Sequence, residues 1–504
     1  MKIHFIECYG YGYGVGLFYP NLLFYFPALL VLCGMSLAIA YKIFAFCLIV
    51  GIFLTTYYSS WKITQDKESA LLAAIIMILS SKILNAFYVG MSLGIITGAV
   101  FMPLAIAGMY LFLTRNQSIY MLVIGFVGLI FSHTITTLFS LIICSIIVLI
   151  NLKELWKNKK KIIALVFSVC IVALITASYW LSMLEQMHCQ LLKVAAPWTT
   201  SEQNVETFSK MFQRDGIGIM ILFVLAVCIG LILWLRVRME DYKLAQRKMG
   251  ISSFLGIAII FVILPMCRPF WHFMNSTLKI RIIQFPYRLY VPASLLIAFG
   301  AAGCYSLLKN QIDIKMRIVR SIGFLSVFIL GLGSSYLLFS QYYENESIVV
   351  EQIVNGEIAG LGGGEEWLPI NTTREYMSDA NMAIDNENNH ILGKKERGFS
   401  EFTFTADLSK EYYDIPYIYY KGYRAYTIDG ERLDTDQNYL TGMVRLYMPK
   451  NSTGNKVITV KYVTTKYQRL GYIATFIGVS VLALYIFMKK TLKTKKLCCL
   501  HSKN

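Results

Sequence analysis

Charge is scarce in this sequence. Only 15% of its 504 residues are Asp, Glu, Lys or Arg, against about 25% in soluble domains. With 56% hydrophobic residues, that shortage excludes a globular enzyme on a single anchor. Acidic side chains are fewest, 30 against 47 Lys and Arg. Almost none falls inside an apolar run, which removes the carboxylates of a proton-coupled transporter. There is no P-loop, no Gly-x-Gly-x-x-Gly after a strand, no Cys-x-x-Cys and no His-Glu-x-x-His, so ATP-driven transport and zinc chemistry have no footing. No two matching halves with interrupted helices occur, which argues against a secondary transporter. Residues 341–467 contain no cysteine, so that region folds without disulfides. Cys33, Cys47, Cys144, Cys170, Cys228 and Cys304 sit in apolar runs and read as small buried hydrophobes.

What is present in quantity is apolar sequence, with a mean hydropathy of +0.55. A membrane-spanning helix needs about 20 apolar residues. Apolar segments run at about 20–40, 42–60, 70–88, 97–113, 119–132, 135–151, 161–181, 217–236, 250–267, 286–307, 318–340 and 468–488. They predict a polytopic helical membrane protein with about 11–12 spans. Lys153–Lys161, Arg236–Lys248, Lys309–Arg320 and the tail Lys489–Lys503 are basic, and alternate with loops at 182–216, 268–285 and 341–467. The positive-inside rule puts the basic loops in the cytoplasm and 341–467 outside. The net charge of +17 follows from this, not from nucleic acid: 341–467 holds 19 acidic and 13 basic residues, so the excess lies in the membrane part. Counting back through all twelve segments puts the N-terminus in the cytoplasm; a Tyr-Gly loop on the outer side would require one segment of the first 150 residues not to span. The candidates are 20–40, with Pro20 and Pro27, and the short 119–132.

The period changes in 341–467. Phe402 and Phe404 alternate with polar neighbours, Ile415–Tyr420 is rich in Tyr and Ile, and Met443–Met448 and Val457–Val463 alternate again. Asp429-Gly430 marks a hairpin turn. These signals predict a small antiparallel β-sandwich, with residues 371–398 as a long loop. The organisation expected is a multi-pass domain (1–340), a β-rich extracytoplasmic domain (341–467), a last helix (468–488) and a basic cytoplasmic tail (489–504).

Four stretches are candidates for function. Tyr9-Gly10-Tyr11-Gly12-Tyr13-Gly14, followed by Leu17-Phe18-Tyr19-Pro20-Asn21, reads as an interfacial aromatic belt or as a sugar-stacking or prenyl-phosphate-contacting loop. Ser132-His133-Thr134 puts an ionisable group between two apolar half-segments; the alternative is a helix-terminal histidine bonded to a carbonyl. The loop from Arg268 to Arg288 holds Arg268, His272, Lys279, Arg281 and Arg288, with Gln284-Phe285-Pro286-Tyr287 opening the next helix. Positive charge on the outer side needs a partner, and arginine offers phosphate oxygens a planar donor fork; acidic side chains or lipid headgroups would also serve. Gly362-Gly363-Gly364-Glu365-Glu366-Trp367-Leu368-Pro369 reads chiefly as a linker.

Taken together, YGYGVGLFYPNLLFYFPALL, SHTITTL, IIQFPYRL, GGGEEWLP, DIPYIYYKGYRAY, VRLYMP and VITVKY resemble, in order and spacing, the bacterial membrane proteins known as 6-pyruvoyl-tetrahydropterin synthase-related. Those are close to YfhO-like proteins and to the GT-C glycosyltransferase superfamily. The resemblance implies a GT-C-like fold in the bacterial plasma membrane. It also implies transfer of a sugar from a polyprenyl-phosphate donor to a cell-envelope glycan acceptor on the outer face. Arg268, Arg281 and Arg288 would hold the donor phosphate, and Tyr9, Tyr11, Tyr13, Tyr19, His133 and Gln284 would line the cavity. In that superfamily an acidic residue of the first outer loop acts as base or metal ligand, which would bring in a divalent cation. Family members carry an initial helix and a Gly-Asp-x-x-x-His-like stretch before the Tyr-Gly loop. Here eight residues precede it, and Glu7 is the acidic residue among them. Three expectations stay open: Glu7 takes the catalytic role, the chain is truncated, or it is a non-catalytic relative. The competing reading is a non-enzymatic membrane protein whose ectodomain binds envelope glycans or a protein partner.

Overall fold

A computed structural model describes residues 2–90, 92–115, 119–197, 199–213, 216–238, 242–309, 314–345, 365–377 and 379–501. The chain divides into two compact units. One comprises Met1–Pro20, Ala173–Trp198 and Gln352–Asn504, the other Asn21–Val172 and Thr199–Glu351.

The second unit is helical. Among the described residues of the whole chain, five helices are long and apolar enough to cross a membrane, and up to eight if each of three bent pairs counts as one span. Four of the five lie in this unit: Leu37–Thr64, Leu93–Arg115, Pro286–Leu308 and Arg320–Leu337. Polar residues set their ends. Ser36 caps Leu37–Thr64 by accepting from the Ile39 amide, and Asp66 caps Lys67–Ile78 through the Ser69 amide at 3.0 Å. Two bent pairs lie here. Lys67–Ile78 turns by 47° into Ser81–Tyr88, and Gly250–Met266 turns by 76° into Arg268–Thr277, where Pro265 and Pro269 flank the break. Leu22–Leu32 and Tyr120–Ile130 are short apolar helices; they fall in the two segments that are the candidates for the one that does not span. Small residues let helices touch along their backbones. A Cβ on Gly125 would stand 2.3 Å from the Ala105 nitrogen, and one on Gly108 2.5 Å from the Leu122 nitrogen.

The first unit is built on nine strands: β1 (Met382–Asp385), β2 (His390–Glu396), β3 (Glu401–Asp407), β4 (Tyr412–Ile418), β5 (Tyr423–Thr427), β6 (Arg432–Leu433), β7 (Thr435–Gln437), β8 (Met443–Tyr447) and β9 (Asn455–Tyr462). They form one antiparallel, barrel-like sheet in the order β6-β5-β9-β3-β2-β1-β4-β8-β7. The expected two-sheet sandwich is corrected here: β1 pairs with both β2 and β4 and so joins the two halves. The edge strands β6 and β7 are separated in sequence by Asp434 alone, and Thr435 Oγ1 donates to the Tyr423 carbonyl at 2.8 Å. β3, β4, β8 and β9 arise where alternation predicts them, and Gly430, at φ +85°, makes the β5–β6 turn. The expected loop 371–398 instead contains β1 and β2. Every second residue of β2 is exposed and none is fully buried, so it carries no apolar alternation to read.

The core of this unit gathers Phe402, Phe404, Tyr413, Ile415, Val444, Leu446, Ile458 and Val460 from the strands, and Ile3, Phe5, Tyr11, Tyr13, Leu17 and Phe18 from the N-terminal segment. The fifth apolar helix, Lys466–Met488, packs here against Ala177–Cys189. At Gly471 an added Cβ would lie 2.8 Å from the Ala177 carbonyl.

Candidate functional site

In the helical unit, three basic side chains come from three separate breaks in helical structure. Lys82 opens the second half of a bent pair, Ser81–Tyr88. It is 4% exposed, and its Nζ lies 3.9 Å from the centre of the Tyr287 ring. Arg288 belongs to the short turn Pro286–Leu289. Its guanidinium carbon stands 4.9 Å from the centre of the Phe285 ring, and the Phe285 and Tyr287 rings are 5.4 Å apart. His133 is the N-cap of Thr134–Ile150: its Nδ1 accepts from the Thr136 amide at 3.3 Å and contacts Thr136 Oγ1 at 2.8 Å. Buried His133 lies within electrostatic reach of Arg288. The physical causes are local. A proline at the start of a helical turn costs no hydrogen bond, so Phe285-Pro286 fixes where Tyr287 and Arg288 point. An aromatic face offsets part of the cost of burying an ammonium.

A polar loop packs on the same turn. Asn204 Nδ2 donates to the Gln284 carbonyl at 3.1 Å, and the Glu206 amide to the Pro265 carbonyl at 3.0 Å. Glu206 is 7% exposed, within electrostatic reach of Tyr290. Ser201 Oγ and Asn275 Oδ1 are 3.1 Å apart, and His272 meets Glu202 at 3.0 Å. Of the arginines singled out in the sequence, Arg288 follows the Tyr287 that Lys82 faces and is within electrostatic reach of His133, whereas Arg268 and Arg281 are exposed. Gln284 is half-buried and enters through its main chain. Sequence reasoning missed Lys82 and Glu206. The signal for Lys82 was available, a single cation inside the apolar run 70–88; Glu206 sits in a mixed polar loop and gives none.

The Tyr-Gly loop belongs to the sheet unit. Tyr11 and Tyr13 are 5% and 4% exposed, Tyr9 is exposed, and Tyr19 is half-buried. Tyr11 Oη donates to the Asp379 carbonyl at 3.0 Å, and the Trp367 amide donates to Tyr13 Oη at 3.4 Å. Phe18 stacks on Trp367 with ring centres 4.8 Å apart and planes 1° from parallel. Tyr420 Oη donates to the Trp367 carbonyl at 3.0 Å. Gly10 and Gly12 take φ of +85° and +83°, backbone that side chains rarely adopt. The half-buried Glu7 contributes its main-chain carbonyl, which accepts from the Gly10 and Gly12 amides. Glu7 and Arg288 therefore belong to different units. Of the glycine-rich motif, Gly362–Gly364 lie outside the described residues. Glu365 pairs with Lys193, and the Val194 amide donates to the Glu366 carbonyl at 2.8 Å.

Among the described residues, no three His, Cys, Asp or Glu side chains gather as a metal-ligand set, so the donors for a divalent cation are not assembled there. Neither a scan of protein-family models nor a search of curated proteins finds a match to this chain.

Proposed function

We propose that this chain is a multi-pass protein of the bacterial plasma membrane that grips a lipid-linked phosphate with Lys82, Arg288 and His133, and transfers the attached sugar to a cell-envelope acceptor in the GT-C manner. The observation that carries the reading is the lysine buried between helices beside Tyr287, one residue from Arg288. Ionisable side chains from separate helix breaks at membrane depth mark a functional site, and a phosphate headgroup is a ligand that suits basic groups there. Lysine supplies a point charge and arginine a planar fork, which together would neutralise phosphate as it leaves the sugar. Basic loops in the cytoplasm and the sheet unit outside complete the orientation. Support comes from the apolar helices, the basic side chains at the helix breaks and the order of motifs that resembles GT-C-like proteins.

The test is binding of a polyprenyl phosphate to the full chain in nanodiscs. Arg288→Ala and Lys82→Met should each weaken binding at least tenfold, and Arg288→Ala should abolish sugar transfer at normal expression. Unchanged binding by both variants removes the phosphate grip. A second reading, a non-enzymatic protein whose ectodomain binds envelope glycans or a partner, is favoured by the burial of Tyr11 and Tyr13 in the sheet core, which spends the loop on folding.

A further inference from the structure

Three helices of the helical unit bring their last turns to one cleft, Leu37–Thr64, Leu93–Arg115 and Pro286–Leu308, and Gly250–Met266 brings its first. The cleft is half-open and encloses about 400 Å³ counted with its mouth. Its floor is aromatic: Tyr110, Phe254 and Phe299 follow one another with ring centres 4.9 and 5.5 Å apart. A Cβ on Gly250 would stand 2.1 Å from Tyr110 Oη, so glycine there gives the hydroxyl its place. Thr64, Ser306 and the exposed Arg115 line the same cleft and give it a polar side. An apolar cavity with a few convergent polar groups has the form of a ligand site.

Three cations among the described residues gather at that side. Arg115 donates to the Lys62 carbonyl at 3.1 Å and to the Ile63 carbonyl at 2.5 Å. Lys161, which closes the basic loop 153–161, donates to the Leu113 carbonyl at 2.5 Å. Lys62 Nζ lies 4.7 Å from the centre of the Trp61 ring and 5.3 Å from that of Tyr58. Tryptophan and tyrosine beside lysine mark the level of the lipid headgroups, which sets the aromatic floor at acyl-chain depth. Helix capping does not account for the charge. A helix C-terminus carries about −0.5 of an elementary charge, so the two ends offset about one of the three cations. The neighbouring acids are engaged: Asp66 caps Lys67–Ile78, and Glu68 pairs with Arg320. Positive charge is left in excess beside an apolar cleft.

We propose that this cleft holds an anionic phospholipid from the leaflet on the side of the basic loop 153–161, its phosphate facing Arg115 and Lys161 and one acyl chain lying along Tyr110, Phe254 and Phe299. Basic pockets between membrane helices suit anionic headgroups, and each Lys or Arg near the surface strengthens their binding roughly fivefold. The site lies at the opposite end of Pro286–Leu308 from Arg288 and does not depend on the transfer reaction proposed above.

The experiment is photocrosslinking of the full chain in phosphatidylcholine nanodiscs, mapped by peptide mass spectrometry. The probes are a phosphatidylglycerol with a diazirine on one acyl chain and the matched phosphatidylcholine. Phosphatidylglycerol should label the peptides of Tyr110, Phe254 and Phe299 at least about fivefold more strongly, and excess inorganic phosphate at constant ionic strength should not compete. Arg115→Gln combined with Lys161→Gln should cut the labelling about twenty-five-fold. Lys42→Gln, an exposed cation near the other end of Leu37–Thr64, should leave it unchanged. If the double variant does not fold, Ser306→Phe serves: a ring placed in the cleft should remove the Tyr110 adduct. Equal labelling by the two lipids, competition by free phosphate, or adducts that survive the double variant or Ser306→Phe overturn the lipid site.

Discussion

Replacing Gly14 by alanine adds one methyl group at a place that has no room for it. The Cβ would stand 2.7 Å from two atoms of the Tyr420 ring and 2.9 Å from a third, well inside van der Waals contact. The backbone is not at issue, because Gly14 has φ −81° and ψ 27°, which alanine tolerates. Tyr420 has little freedom to retreat: it is fully buried, its hydroxyl is bonded to the Trp367 carbonyl, and the Trp367 indole stacks on Phe18. Overpacking of a well-filled core costs about 1–3 kcal/mol. Alanine recovers about 0.4–1 kcal/mol by restricting the unfolded chain. From the midpoints of these ranges the net loss is about 1.3 kcal/mol, or roughly tenfold in the local opening equilibrium. Amide hydrogen exchange on the full chain in detergent measures this element by element. Peptides covering β3, β4 and β9 should exchange faster by that factor, and those covering Leu93–Arg115 should not change. Gly256→Ala is the matched control, since a Cβ there meets nothing within 4 Å, and a helical glycine-to-alanine change stabilises by up to about 1 kcal/mol. If Gly14→Ala exchanges like the parent, the wedge between the Tyr-Gly loop and Tyr420 is not rigid and the packing argument fails.

Two further outcomes are expected. Gly125→Leu, with its Cβ forced against Ala105, should separate the helices Leu93–Arg115 and Tyr120–Ile130, seen as a lower melting temperature and faster proteolysis of the helical unit; Gly230→Leu, where a Cβ meets nothing within 4 Å, should neither lower the melting temperature nor speed proteolysis. Arg445 grips Asp414 through Nε at 2.8 Å and a terminal nitrogen at 2.9 Å. Arg445→Met should cost about 1–3 kcal/mol by leaving a part-buried carboxylate without its fork, read as increased exchange of the β4 and β8 amides.

The sequence made some of this legible and hid the rest for definable reasons. β3, β8 and β9 were readable because each has one buried face, so alternation such as that of Phe402 and Phe404 survives in the residue types. β2 was not, since its side chains are at most half-buried. The apolar segments were visible as composition. Their breaks at Cys267 and Ser80 were not, because a bend depends on what packs around it. Arg288 and His133 stood out as charge or imidazole beside apolar runs, but the approach of Lys82 to Tyr287 and of His133 to Arg288 is a tertiary fact. The Tyr-Gly loop misled in a specific way. Tyrosine suits a membrane boundary and a protein core equally well, and the choice depends on partners such as Asp379 and Trp367 more than 350 positions away.

That separation also sets a clock for biosynthesis. The Tyr-Gly loop is made well before β9, an inner strand of the sheet it docks on, which ends only at Tyr462. Translation at roughly 5–20 residues per second leaves about 20–90 s in which Phe5, Tyr11, Tyr13 and Phe18 have no core to enter. During that interval the nascent loop is an apolar, glycine-rich strip that must be shielded by lipid, by the insertion machinery or by a chaperone. Assembly of the sheet unit therefore waits for β9, and folding defects in this protein should concentrate in that unit.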